Sequence, residues 1–170
     1  GNVSIDVARI LAKRPEDLAN SDITEYALGS LQSSPLKELL ILGRRGPAQS
    51  AFSPKEIQEL AETNGASFLV SKRDIAQGTE ASTLAWLASE APLTAQKNLD
   101  FLKECVSEET GDGRIIRCSF FVSPVEFYGK DGQLTQVKLR RNILVERNGR
   151  LSAQATDEEW LEDVQLVFYA

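Results

Sequence analysis

Histidine is absent from the 170 residues, and that single gap excludes much chemistry. It removes the commonest general base, the Ser-His and Cys-His dyads, and the usual zinc ligand. Any reaction the chain serves therefore belongs to a cofactor or to residues outside it, so no catalytic base and no metal site are expected. Cysteine is scarce: Cys105 and Cys118 are the only two, with neither metal-ligand spacing nor a CxxC pair. That excludes a disulfide framework and points to two core thiols in a reducing compartment, the cytoplasm or, in a eukaryote, the mitochondrion or another organelle. No apolar run approaches the roughly 18 residues that a membrane helix needs, so no membrane span is expected. Basic charge is in deficit, 19 Lys and Arg against 25 Asp and Glu for a net charge of -6. An acidic surface repels polyanions, so nucleic acid is not expected as a partner. Internal repeats and low-complexity tracts are missing too, and the start at Gly1, without a signal-type n-region, says nothing on targeting.

What is present, 42% hydrophobic and 26% charged residues, is ordinary for one globular domain over residues 1–170. Val3, Val7, Ile10 and Leu11 fall on one face of a helix that starts almost at the first residue and is broken by Pro15. A second helix is predicted at about Asp22 to Leu31, with Asp22 and Glu25 in capping-box spacing and Ile23, Tyr26 and Ala27 on one face. Glu38 to Leu42 is a short apolar run closed by Gly43, which suits a buried parallel strand. After a loop from Arg44, Ser53-Pro54-Lys55-Glu56 supplies an N-cap, a proline at N1 and a glutamate at N3 for a helix whose apolar face is Ile57, Leu60 and Ala61.

Ala66 to Val70 reads as the next strand, followed by helical patterns at about Thr79 to Ser89 and Thr94 to Val106. This alternation predicts an α/β layer with a doubly wound parallel sheet. After Gly111-Asp112-Gly113 the period changes. Ile115 to Val122, Val125 to Tyr128, Leu134 to Val145 and Leu151 to Ala155 look extended, with hairpin turns at Lys130-Asp131-Gly132 and Asn148-Gly149. A small antiparallel meander is therefore expected on the parallel sheet, with Asp157 to Asp163 as a surface loop and Val164 to Tyr169 as a last buried strand.

Two motifs bear on chemistry. Gly1-Asn2-Val3-Ser4-Ile5-Asp6 opens a helix, whose free N–H groups and dipole suit a pyrophosphate; the same hexapeptide also reads as a plain N-cap followed by a first-turn carboxylate. Gly43-Arg44-Arg45-Gly46-Pro47 directly follows a strand. In a dinucleotide fold that strand end meets the adenosine ribose, where NADP-specific proteins need a cation for the 2′-phosphate. Two guanidinium groups meet that need, since Arg forks a phosphate bidentately and keeps its charge. An Arg-Arg pair on a loop is also a common solvated surface feature.

Taken together, G-N-V-x-x-D-x-A-R-x-L, the Asp22-Ile23-Thr24 segment, G-R-R-G-P-x-Q-x-A-F and the following x-x-K-E resemble the adrenodoxin reductases and their bacterial ferredoxin-NADP reductase relatives. Ser123-Pro124-Val125-Glu126 and the closing VQLVFYA resemble family segments as well. The resemblance is tightest over residues 1–60 and covers the NADPH domain. It implies a Rossmann-like fold of the glutathione-reductase type, with helices on both faces of the parallel sheet. It also implies that a first strand and phosphate-loop glycine before Gly1, the FAD domain, and a Trp-x-x-x-Gly-Pro region near the nicotinamide lie outside this chain. Animal members carry a basic cluster near the segment matching Leu93 to Asn98, used to dock an acidic ferredoxin; here only Lys97 is basic.

Carried over by position, the resemblance implies contact of Gly1, Asn2 and Val3 with the NADP pyrophosphate, an Arg44–Arg45 clamp on the 2′-phosphate, and Glu56 beside the adenosine ribose. Glu56 is equally explained as the N3 partner of Ser53. Gln49 and Phe52 match the motif and would shape the loop. The activity implied for the parent is hydride transfer between NADPH and FAD, with single electrons passing to or from a ferredoxin-type iron-sulfur protein. A glutamate-synthase small-subunit-like NADPH oxidoreductase and a noncatalytic nucleotide-binding module are the alternatives.

Overall fold

Two sheets of opposite character divide the chain, and the passage between them falls at Phe121. The computed structural model describes residues 1–147 and 150–169. In the first sheet β1 (Glu38–Gly43), β2 (Ala66–Val70) and β3 (Arg114–Phe120) run parallel in the order β1-β3-β2. The register, Gly43 beside Phe120 and Val70 beside Cys118, brings all three carboxyl ends to one edge. β3 is thus the middle of the parallel sheet, not part of the meander in which its sequence placed it. Alternation in Ile116, Cys118 and Phe120 tells which residues are buried, but it carries no sign of strand direction, and direction was what decided the placement.

Helices cover one face of this sheet. α1 (Asn2–Ala12) buries Ile5, Ala8 and Ala12, and α4 (Pro54–Ala61) buries Ile57 and Leu60. With Leu102 of α7 (Leu93–Glu104), these form a core over Leu39 and Ile41 of β1 and over Ile116, Cys118 and Phe120 of β3. The expected apolar stripe of α1 is not its buried face, for Val3 and Ile10 are 63% and 45% exposed. The two alanines let the helix approach the sheet closely, and that outweighs the larger aliphatic area on the other side. Arg114 of β3 closes the far end of α1 by donating through Nη1 to the Leu11 and Lys13 carbonyls, at 2.5 and 2.8 Å, the favoured role for a cation at a helix C-terminus.

Pro15 does break the first helix, and it also begins a one-turn α2 (Pro15–Leu18). α3 (Glu25–Gln32) is capped by Thr24, whose Oγ1 accepts from Ala27 N at 3.3 Å, rather than by Asp22. Its Tyr26 is 87% exposed. α5 (Lys72–Gln77) was not anticipated; α6 (Ala81–Ser89) and α7 fall close to the predicted spans. The overlooked signal was Ser71-x-x-Asp74, a helix-start spacing, and Ser71 Oγ accepts from Arg73 N at 3.1 Å.

The second sheet is antiparallel, β4 (Val122–Lys130), β5 (Gln133–Arg147) and β6 (Arg150–Asp163) in sequential order. Its Asp131-Gly132 turn has φ of 53° and 79°, the paired positive values of a type I′ hairpin. The expected Asn148-Gly149 turn lies outside the described residues, as does Ala170. Residues Asp157 to Asp163 belong to β6 and are not a loop. Glu159 stands opposite Arg140 in register and pairs with it, and Glu158 pairs with Arg73. The acidic run is therefore a strand with cross-strand partners. Val164 continues the ladder for one bond, to Thr135 O, but no strand follows: Leu166, Phe168 and Tyr169 are exposed. Val122, Val137 and Leu139 pack with Leu40 and Leu42, so the second face of β1 meets the antiparallel sheet.

Candidate functional site

The carboxyl edge of the parallel sheet gathers the chemistry-bearing segments. α1 and α4 lie side by side, joined near their starts by Asn2 Oδ1, which accepts from Ser53 N at 2.9 Å. Farther along, Arg9 of α1 is the hub of three carboxylates, at 2.9 Å from both Asp6 and Glu56 and also bonded to Glu59. The capping box of α4 is half formed. Ser53 Oγ accepts from Glu56 N at 3.3 Å, but Glu56 does not reach back: Arg9 holds its Oε2, and Asn2 takes the Ser53 N–H. Glu56 is thereby left part-exposed on the helix flank, and α1 supplies the partner that the box lacked.

Gly1, Asn2 and Val3 form the exposed start of α1; Gly1 N donates to Ser4 Oγ at 3.1 Å, while the Asn2 and Val3 amides are the free donors every helix start presents. Nothing lies within 4 Å of where a Gly1 side chain would be. Arg44 and Arg45 are exposed in the loop after β1 and are in no ion pair among the described residues. Their backbone, by contrast, is fixed. Asn142 Nδ2 donates to the Arg44 carbonyl at 2.9 Å, and Phe121 N donates to the Arg45 carbonyl at 3.1 Å. Gly46 then passes so close to the Phe121 ring that a Cβ there would sit 2.6 Å from Cζ, which explains glycine at that position. A single 3-10 turn, Pro47–Gln49, carries the chain onto α7. There the Phe52 carbonyl accepts from buried Asn98 Nδ2 at 3.0 Å, so Gln49 and Phe52 sit in the wall of the loop.

A second cluster lies at the ends of β2 and β3. Asp74 is 2% exposed; its Oδ2 accepts from Phe120 N at 2.8 Å and its Oδ1 from Arg141 Nη1 at 2.7 Å. Burial pushes the Asp74 carboxyl above the usual carboxylate range, against the opposing pull of those two donors. Arg141 stands opposite a bulge in β6, since the pairing passes from Arg140–Glu159 to Asn142–Ala155 and leaves Thr156, Asp157 and Glu158 facing it. Its guanidinium lies 5.4 Å from the Trp160 ring. A cleft of about 580 Å³ opens here, lined by Arg73, Gln77, Arg141, Thr156 and Glu158 among others. Arg73 is bonded to Glu158 and Arg141 to Asp74. The two cations are thus already neutralised, which sets this cleft apart from the Arg44–Arg45 loop. The thiols play no part: Cys118 is buried in the core, and burial pushes the Cys105 thiol up to about 11.

Sequence reasoning missed Asn142, Phe121, Asp74 and Arg141. For Asn142 there was a signal, because asparagine is depleted in strands and this one stands in a fifteen-residue strand. For Phe121, a bulky residue at φ 56°, there was none.

The fold defines a class, a Rossmann-type α/β domain with a small antiparallel sheet built onto it. Within that class the chain is a homologue of part of the adrenodoxin-reductase-like reductases. It is 36% identical over 159 residues to the NADPH-ferredoxin reductase FprA of Mycobacterium leprae, 92% of this chain and 33% of that protein. It is 35% identical over 169 residues to FprA of Mycobacterium tuberculosis H37Rv, 98% of this chain and 36% of that one. The mitochondrial NADPH:adrenodoxin oxidoreductase of Mus musculus is 54% identical over 65 residues, 38% of this chain and 13% of that protein. The structure of Mycobacterium tuberculosis FprA in complex with NADPH superposes with a TM-score of 0.87 at 34% identity, covering 98% of this chain and 36% of that one. No family model matches. The chain thus spans about a third of the length of the curated FprA relatives it matches. No helix among the described residues is long and apolar enough to cross a membrane.

Proposed function

We propose that residues 1–170 are the NADPH-binding domain of an FAD-dependent ferredoxin-NADP+ reductase that exchanges electrons with a ferredoxin-type iron-sulfur protein in a reducing compartment. The observation that carries this reading is the loop after β1: two exposed, unpaired guanidinium groups on a backbone bonded at both arginine carbonyls. The donor set fits the nucleotide. Arg44 and Arg45 offer paired cations to a 2′-phosphate, and the first turn of α1, opened by Gly1, offers the Asn2 and Val3 amides to the pyrophosphate. Glu56, steadied through one oxygen by Arg9, would accept from a ribose hydroxyl with the other.

The nicotinamide, when bound, carries the hydride. This chain's residues hold and select the nucleotide, as suits a sequence without histidine. FAD and the rest of the electron path belong to the remainder of the parent protein. Substituting Arg44→Ala and Arg45→Ala in the full-length protein tests the reading. A lost charge-assisted bond of about 1.5 to 3 kcal/mol weakens NADPH roughly ten- to a hundredfold and leaves NADH almost unchanged. Equal losses for the two nucleotides would mean that the pair does not read the 2′-phosphate.

A further inference from the structure

The Arg44–Arg45 loop is held by a residue far from it in sequence. Asn142, 2% exposed, sits where four segments meet. Its Nδ2 donates to the Arg44 carbonyl at 2.9 Å and to Ser123 Oγ at 2.8 Å, which uses both amide hydrogens. Its backbone N donates to Phe121 O at 2.6 Å, and its carbonyl accepts from Gln77 Nε2 at 2.8 Å. The loop after β1, the β3–β4 junction, β4 and the end of α5 thus converge on one side chain and its peptide groups. The β5–β6 register shifts by two residues immediately before it, the extra residues lying in β6 between Ala155 and Glu159.

We infer that Asn142 is a positioning residue for 2′-phosphate recognition, fixing the Arg44 carbonyl so that the two guanidinium groups start from a set backbone. This rests on the role proposed above for Arg44 and Arg45. What the anchor supplies is preorganisation. An arginine on a loose loop must be ordered when it binds a phosphate, whereas a backbone already bonded at both carbonyls has lost that freedom on folding. Binding of the adenosine and pyrophosphate portions does not draw on the guanidinium groups, so loss of the anchor falls selectively on ligands that carry the 2′-phosphate.

The test uses adenosine 2′,5′-bisphosphate and 5′-AMP as probes, titrated calorimetrically into the full-length protein, so that no turnover is needed. For Asn142→Ala the bisphosphate weakens about five- to tenfold, the scale of one lost neutral hydrogen bond, and 5′-AMP changes less than twofold. Ser123→Ala removes the amide's other partner, keeps the Arg44 bond, and leaves the ratio of the two affinities as in the wild type. Equal weakening of both probes by Asn142→Ala, or as large a loss of selectivity from Ser123→Ala, overturns the inference. Arg44→Ala and Arg45→Ala in the same assay separate the two levels. If they abolish selectivity while Asn142→Ala spares it, the phosphate clamp stands and the anchor falls; if they spare it, the clamp itself falls. Should Asn142→Ala fail to fold, Gln77→Ala, which removes the support behind Asn142, lowers selectivity about two- to threefold by the same argument, and wild-type selectivity in that variant is the overturning result.

Discussion

Phe121 sets the geometry at the carboxyl edge of the parallel sheet with one unfavourable torsion. Its φ of 56° lies in the left-handed region, which costs an L-residue about 1 to 2 kcal/mol. The surroundings over-determine it: the ring is fully buried, its N–H goes to Arg45 O, and its carbonyl accepts from Asn142 N. The turn lets the chain leave a parallel sheet and begin an antiparallel one within a residue, while the ring fills the space beneath the arginine loop. Gly46 is the counterpart that makes room. A Cβ on Gly46 would stand 2.6 Å from Phe121 Cζ and 2.7 Å from Gln49 Oε1, and Phe121 has nowhere to move. Gly46→Ala is therefore expected to destabilise the fold by about 1 to 3 kcal/mol, the usual penalty for overpacking. Denaturant midpoints with unchanged m-value would register it; a midpoint equal to wild type would mean that the loop yields, and that it is not pinned as described.

Among the elements, α4 shows how a local signal is completed by tertiary structure. Ser53, Pro54 and Glu56 announced the helix start, and Ser53 does cap it. Ser53→Ala is expected to lose about 1 kcal/mol of stability in thermal or chemical denaturation. Because Asn2 bonds the Ser53 backbone rather than its hydroxyl, the α1–α4 contact should survive the change. A much larger loss would show that the hydroxyl does more than cap. The parts of the fold that were legible share this property: periodicity, caps and turn residues act within about ten residues, and they placed β1, β2, α4, α6, α7 and the Asp131-Gly132 hairpin. What was not legible depended on distant partners. Arg114 to Phe120 alternates as either kind of strand would. Asp157 to Asp163 reads as loop until Arg73 and Arg140 are seen opposite it. VQLVFY is apolar enough for a strand, yet the ladder ends at Val164. For the site, Arg44, Arg45, Asn2 and Glu56 stood out by local motif and resemblance, whereas Asn142 touches them only through a bond spanning 98 positions.

Across the whole molecule, Asp74 and Glu158 tie α5 to the antiparallel sheet through Arg141 and Arg73, and they respond to acid with opposite signs. The bidentate bond from Arg73 holds the Glu158 carboxyl below its ordinary value. A depressed carboxylate contributes stability that is present above its unfolded pKa and lost as pH falls through its folded one. Asp17, beside Arg14, and Glu126, beside Tyr128 and Lys138, behave the same way. Asp74 is the exception, since burial raises it. In the carboxylate range its folded form binds more protons than its unfolded form, so on its own it makes folding more favourable as pH drops. Removing each group should therefore bend the acid limb of stability in a different direction. With urea midpoints compared between pH 7 and pH 4, Glu158→Gln loses less stability on acidification than wild type, because a group that had to surrender its ion pair is gone. Asp74→Asn loses more, because a carboxyl that gained from protonation is gone, whatever the variant has already lost at pH 7 by leaving the buried Arg141 charge without its counter-ion. If Asp74→Asn instead flattens the acid limb, then the Arg141 and Phe120 bonds outweigh burial and Asp74 is held below, not above, its ordinary value.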